Sequence, residues 1–91
     1  LISIREMKNL IRESSFALKR NGYFMIYGPF MRSGELISDQ DFKFHNSLIN
    51  YDQEIGYKDD FDILDEIEEN NLSPEAVIEM PANNLMFIAK K

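Results

Sequence analysis

The chain has 91 residues, 44% of them hydrophobic, and a formal net charge of −6 at pH 7. That length bounds it to one domain with a modest core, and the composition excludes general disorder. It has no cysteine, which excludes disulfides, a thiolate metal site and a cysteine nucleophile and fits a reducing, cytoplasmic compartment.

The charge is unevenly spread. Arg5 to Arg20 holds five basic and two acidic residues, whereas Asp52 to Glu79 holds eleven acidic residues and one lysine. A nucleic-acid partner needs a basic surface to neutralise phosphates, and the second half would repel them. The basic surplus near the start reads as a solvated helix face. No apolar run approaches a membrane span and no basic-then-apolar leader opens the chain, so no membrane partner is expected. The chain starts at Leu1, not Met, and runs straight into a helix signal. The expectation is a piece cut from a longer protein.

Ser3-Ile4-Arg5-Glu6 is a capping box. Apolar residues then recur at helical spacing, Lys19 and Arg20 suit the negative end of the dipole, and Asn21-Gly22 supplies a stop. This predicts a helix over 4–20. Tyr23 to Tyr27 is an unbroken run of aromatic, Met and β-branched residues without polar alternation. That pattern belongs to parallel strands covered on both faces, so the run is expected to be an interior parallel strand. Gly28-Pro29 is expected to stop its ladder, with a loop over 30–38 turning at Gly34.

Ser38-Asp39-Gln40-Asp41 is a second cap signal, opening a short helix over 39–50. A loop around Gly56 follows, and Asp59 or Asp60 caps a third helix with Phe61, Ile63, Leu64 and Ile67 as its apolar stripe. Asn70-Asn71 ends it. Glu75 to Met80 reads as a strand, 81–84 as a turn and 85–89 as a second strand. The short connection makes these two an antiparallel hairpin.

If the strand at Glu75 runs parallel to the one at Tyr23, both end on one edge of the sheet. Ligands of open parallel sheets bind beyond the carboxyl ends of the strands. The candidate substrate-binding residues are therefore Tyr27, Gly28, Pro29, Phe30 and Arg32, joined by Asn83 and Asn84, whose amides offer both donors and acceptors. His45, the single histidine, lacks an acid or nucleophile at a telling spacing and reads as a helix-surface or part-buried residue. Asp59, Asp60 and Asp62 lack the glycine and alternating oxygens of a calcium loop and read as helix caps. No metal is expected, and no residue is assigned a catalytic role.

Tyr27-Gly28-Pro29-Phe30, Arg32, Gly34, Phe44, Ser47-Leu48, Asp52, Gly56, Asp59 and Met80-Pro81-Ala82-Asn83-Asn84-Leu85 together carry a resemblance. The chain resembles the carboxyl-terminal part of the methyltransferase-like 26 type family, a domain-of-unknown-function family classed with S-adenosylmethionine-dependent methyltransferases. The resemblance runs through nearly all of the chain. It implies an α/β fold, the carboxyl-terminal part of a Rossmann-like class I methyltransferase sheet: helix, parallel strand, helices and closing antiparallel hairpin. These would be the fifth, sixth and seventh strands, with the seventh antiparallel between the other two and Asn84 beside Gly28. The family's glycine-rich loop and the acid after its second strand have no counterpart here. The cofactor, S-adenosylmethionine, is thus expected to have its main site upstream, with no cofactor-binding residue among these 91. Lys58 stands where the family has Arg, and His45 where it has Asp.

Two functions follow as expectations. In the first, the chain is the carboxyl-terminal half of a methyltransferase domain. It is inactive alone, partnered by the amino-terminal half, and shapes the pocket of a small-molecule or protein methyl acceptor. In the second it is a non-catalytic interaction module or truncated product, self-associating through an exposed strand edge at Tyr23–Tyr27. One face of its sheet and the inner face of its first helix are expected to lack partners.

Overall fold

In a computed structural model, which describes residues 2–91, three helices lie beside a four-stranded mixed sheet. Leu1, at which the sequence is expected to be cut, lies outside the described residues. The helices are α1 (Ile4–Ala17), α2 (Asp39–Tyr51) and α3 (Asp60–Glu69); the strands are β1 (Tyr23–Met31), β2 (Lys58–Asp59), β3 (Ser73–Met80) and β4 (Asn84–Lys90). The sheet order is β2-β1-β4-β3. β4 is antiparallel to both β1 and β3, so those two run the same way and end on one edge. That is the arrangement expected of the hairpin.

The capping box forms: Ser3 Oγ accepts from Glu6 N–H at 3.2 Å, and Glu6 Oε1 accepts from Ser3 N–H at 3.1 Å. α1 ends at Ala17, three residues earlier than its charge pattern suggests, because Leu18 turns extended. Lys19 and Arg20 therefore lie beyond the helix. The cation at its negative end is supplied from far along the chain, by the Lys91 ammonium, which donates to the Ser15 and Leu18 carbonyls.

The Tyr23–Tyr27 run, expected to be a parallel strand, pairs antiparallel with β4, and parallel rungs occur only beyond it at Phe30 and Met31; β1 departs from expectation twice more. It does not stop at Gly28-Pro29 but continues to Met31. Pro29 sits at the last rung against β4, opposite Asn84, and one residue ahead of the first rung against β2, Phe30 opposite Lys58. The proline thus falls where the strand changes partner. Second, β1 is interior in the sheet but covered on one face only. Phe24, Ile26 and Phe30 face the helices, where Met7 and Ile11 of α1, Ile63 and Ile67 of α3, and Phe87 of β4 make the core. The Phe30 and Phe87 rings meet edge to face at 5.0 Å. On the opposite face Tyr23, Met25 and Tyr27 are 56%, 61% and 52% exposed, and Met86, Ile88 and Ile78 continue the same apolar surface by register. The unbroken apolar run therefore has two apolar faces of which one is uncovered, as expected of a sheet lacking a partner on one side; the inner face of α1, expected to be bare as well, is instead covered, since Met7 and Ile11 are buried in the core. The edge of β1 toward β2 is likewise paired only at Phe30 and Met31.

Asp59 and Asp60 stand at the start of α3, but Asp59 makes no side-chain cap bond. Its carboxylate accepts from Gly34 N–H at 2.6 Å, and that of Asp60 from Ser33 N–H at 2.9 Å and Phe61 N–H at 2.8 Å. The two acids chiefly clamp the Ser33-Gly34 turn, whose residues sit at φ 53° and 80°, the sign pattern of a tight hairpin turn. Asn71 at φ 61° ends α3, with the Asn70 amide donating to the Glu66 carbonyl at 2.8 Å.

Candidate functional site at the carboxyl edge of the sheet

The antiparallel insertion of β4 decides which residues meet. Register puts Gly28 opposite Leu85 and Pro29 opposite Asn84, so the two loops singled out from the sequence share one edge. Asn84 Nδ2 donates to the Tyr27 hydroxyl oxygen at 3.0 Å and to the Pro81 carbonyl at 3.2 Å. A carbonyl can only accept, so the second bond fixes which end of the amide is nitrogen. The Tyr27 oxygen is occupied as an acceptor, which leaves its proton free to donate outward. Asn84 Oδ1 has no partner among the described residues, and it remains an acceptor beside that donor.

Arg32 does a different job from the one its charge suggests. Its Nη1 donates to the Phe30 and Asn83 carbonyls, both at 3.0 Å. It thereby pins the end of β1 to the β3–β4 turn. Its Nε is buried without a partner. The pinned turn is strained: Ala82 and Asn83 both sit at φ 60°, which is ordinary for Asn but costly for Ala. Gly28 is buried, and the Phe30 ring belongs to the core, so these two border the edge from beneath. Together with Pro29 they line an apolar groove of about 290 Å³ beside the open edge of β1, closed on its far side by Met7 and Leu10 of α1.

Asp41, His45 and Tyr57, none of them among the candidate site residues named from the sequence, hold α2 against this edge. Asp41 Oδ1 accepts from the Tyr57 hydroxyl at 2.8 Å, its Oδ2 accepts from Ser38 Oγ at 2.9 Å, and Asn83 Nδ2 stands 3.5 Å from that same oxygen. His45 Nδ1 accepts from Tyr57 N–H at 3.0 Å. With Nδ1 engaged as an acceptor, the neutral ring carries its proton on Nε2. His45 is thus a structural tie, in line with the reading of it as a part-buried helix residue. Burial and, after it, the Asp41 carboxylate push the Tyr57 hydroxyl pKa up to about 12. Lys58 donates to the Gly56 and Glu54 carbonyls, and burial lowers its pKa against the opposing pull of Glu6. No spacing in the sequence marks Tyr57, because it lies in an irregular segment and its partners stand 12 and 16 residues earlier, in α2.

Over residues 1–91 the chain matches the family described as "Protein of unknown function (DUF938)". The chain belongs to this family. The fold of this DUF938 member recurs in part of a solved protein. It superimposes on the crystal structure of an O-methyltransferase family 2 protein from Planctomyces limnophilus DSM 3776, in complex with apigenin, with a TM-score of 0.85 and 13% identity. The match covers 99% of this chain and 27% of that one, so the DUF938 chain spans about a quarter of the length of the protein it resembles. At that identity the likeness establishes a methyltransferase-like fold. No helix among the described residues is long and apolar enough to cross a membrane.

Proposed function

We propose that this DUF938 chain is the carboxyl-terminal part of one methyltransferase-like domain of the methyltransferase-like 26 type. In this reading the parent enzyme uses S-adenosylmethionine, bound by residues outside these 91, and the edge described above forms the methyl-acceptor side. The observation that carries it is the antiparallel β4 lying between β1 and β3, which brings Asn84 onto Tyr27 at the carboxyl ends of the strands.

Methyl transfer asks a protein chiefly to hold the nucleophile in line with the methyl group and to keep water out. Tyr27 and Asn84 supply one donor and one acceptor for a polar acceptor molecule. Pro29 and the groove beside it supply apolar contact, and Arg32 and Asn83 keep the turn in place. The cofactor would supply the methyl group, and nothing in this chain need activate it. The acceptor is a small molecule or a protein side chain; apigenin, present in the similar structure, is a first compound to assay. The uncovered sheet face and the open β1 edge are the surfaces that the remainder of the domain would cover.

The test is calorimetric titration of S-adenosylmethionine into the complete gene product and into the 91-residue chain in parallel. Binding by the complete product alone is the expected result. Absence of binding to both would remove the methyltransferase reading. It would favour a non-catalytic interaction module that associates through the open edge and the uncovered apolar face.

A further inference from the structure

Helix α2 is held differently from the other two. None of its 13 residues is buried, whereas α1 buries Met7, Ile11 and Ser15 and α3 buries Ile63 and Ile67. Helices in proteins are stabilised mainly by burying an apolar face. α2 has the side chains to do so, yet Phe42, Phe44 and Tyr51 stand exposed. What holds it gathers at Tyr57: hydrogen bonds through Asp41 at one turn and His45 at the next, and the Phe44 ring edge-on at 6.1 Å. The imidazole rests directly on Gly56: a Cβ there would stand 2.7 Å from His45 Cε1 and 2.8 Å from Ile49 Cγ2. The segment leading into the helix leaves the Ser33-Gly34 turn, where Gly34 has open space around it. The amino end of α2 adjoins the turn that carries Asn83 and Asn84, through Asp41 and Asn83.

We infer that α2 is a latched lid: a helix held on the carboxyl edge of the sheet by the Asp41, His45 and Tyr57 contacts in place of a buried face, opening as a unit while the sheet stays folded. Its role as a gate to the acceptor rests on the proposed function of that edge; its opening rests on the packing alone. Segments with few buried contacts open at free energies well below that of global unfolding, and such lids govern entry and release in many enzymes.

Hydrogen exchange read by mass spectrometry on the intact protein, with no cofactor or acceptor added, tests this. Residues 39–51 should exchange at least about tenfold faster than residues 84–90 of β4. Gly56→Ala is the sharper probe. Gly56 sits at φ −62° and ψ 174°, a conformation alanine accepts, so the added methyl acts as a wedge under His45 and Ile49. It should speed exchange of residues 39–51 by about tenfold more and leave 84–90 unchanged. Tyr57→Phe should act in the same direction, less strongly.

Three results would overturn the lid. One is protection of residues 39–51 equal to that of β4 in the parent protein. Another is a Gly56→Ala trace that superimposes on the parent. The third is a rise in both segments together, which would make α2 part of the global fold. The calorimetric experiment is independent: if α2 opens alone and S-adenosylmethionine does not bind, the lid stands and the methyltransferase reading falls.

Discussion

Replacing Tyr57 with Phe removes one oxygen from the centre of the contacts that hold α2. The residue is 8% exposed and its hydroxyl lies 2.8 Å from Asp41 Oδ1. A hydrogen bond to a charged group contributes about 1.5–3 kcal/mol. The same arrangement sets a pH dependence. Burial first, then Asp41, raises the Tyr57 pKa to about 12, above the roughly 10 of a free tyrosine. A raised pKa means that the folded state favours the protonated form. The associated stability is therefore fully present below about pH 10 and is lost as pH climbs through 10 to 12. Two units correspond to a ceiling of roughly 3 kcal/mol, of the same size as the hydrogen-bond value.

Urea denaturation at a series of pH values is the assay. The parent should exceed Tyr57→Phe by about 1–3 kcal/mol at pH 8, and the gap should narrow steadily above pH 10. Tyrosinate absorbance provides a second readout. With four tyrosines in the chain, a component of about a quarter of the total amplitude should develop near pH 12 and vanish in Tyr57→Phe. In Asp41→Asn it should move part of the way down, because burial still raises it. A gap that stays constant from pH 8 to pH 12, or an absorbance curve without the late quarter, refutes the reasoning.

Phe87→Ala should cost about 3–5 kcal/mol by urea denaturation, since Phe87 is fully buried in the middle of β4 against Phe30; in a domain whose whole stability is about 5–15 kcal/mol, this variant should be close to unfolded. Ala82→Gly should raise the melting temperature, by the equivalent of up to about 1 kcal/mol, because Ala82 sits at φ 60° and glycine carries no penalty there; a lower melting temperature would contradict it. Arg32→Ala should destabilise by only about 1 kcal/mol, as its bonds to the Phe30 and Asn83 carbonyls are partly solvated. Under the proposed function that substitution should raise the acceptor KM of the complete protein and leave S-adenosylmethionine affinity unchanged. Tyr27→Phe should leave stability nearly unaltered and lower kcat/KM for methyl transfer by about tenfold; equal rates would show that the hydroxyl does not meet the acceptor.

Much of the local structure was legible in the residues. The capping box at Ser3, the cap at Ser38, the stop at Asn70-Asn71 and the Gly34 turn are written within four residues of where they act, and each formed. The closing hairpin follows from two apolar runs joined by a short polar turn. Proximity of the Tyr27–Arg32 and Asn83–Asn84 segments needed only one further step, that β1 and β3 run the same way. The amino-acid sequence by itself thus determined the three helices, the three longer strands, their order and the edge on which a ligand would be sought, but not the short β2, which the sequence reads as part of a loop.

Tertiary structure alone decided what each side chain does there. Lys91 caps α1 across 76 residues, Arg32 reaches Asn83 across 51, and Asp59 and Asp60 turn from their own helix to clamp backbone amides 25 and 27 residues away. Local periodicity carries no trace of such pairs, because hydrogen-bond partners are chosen by the geometry of closure. The same holds for β1: an unbroken apolar run states that both faces can be buried, and only the packing of α1 and α3 decided that one was covered and the other left bare.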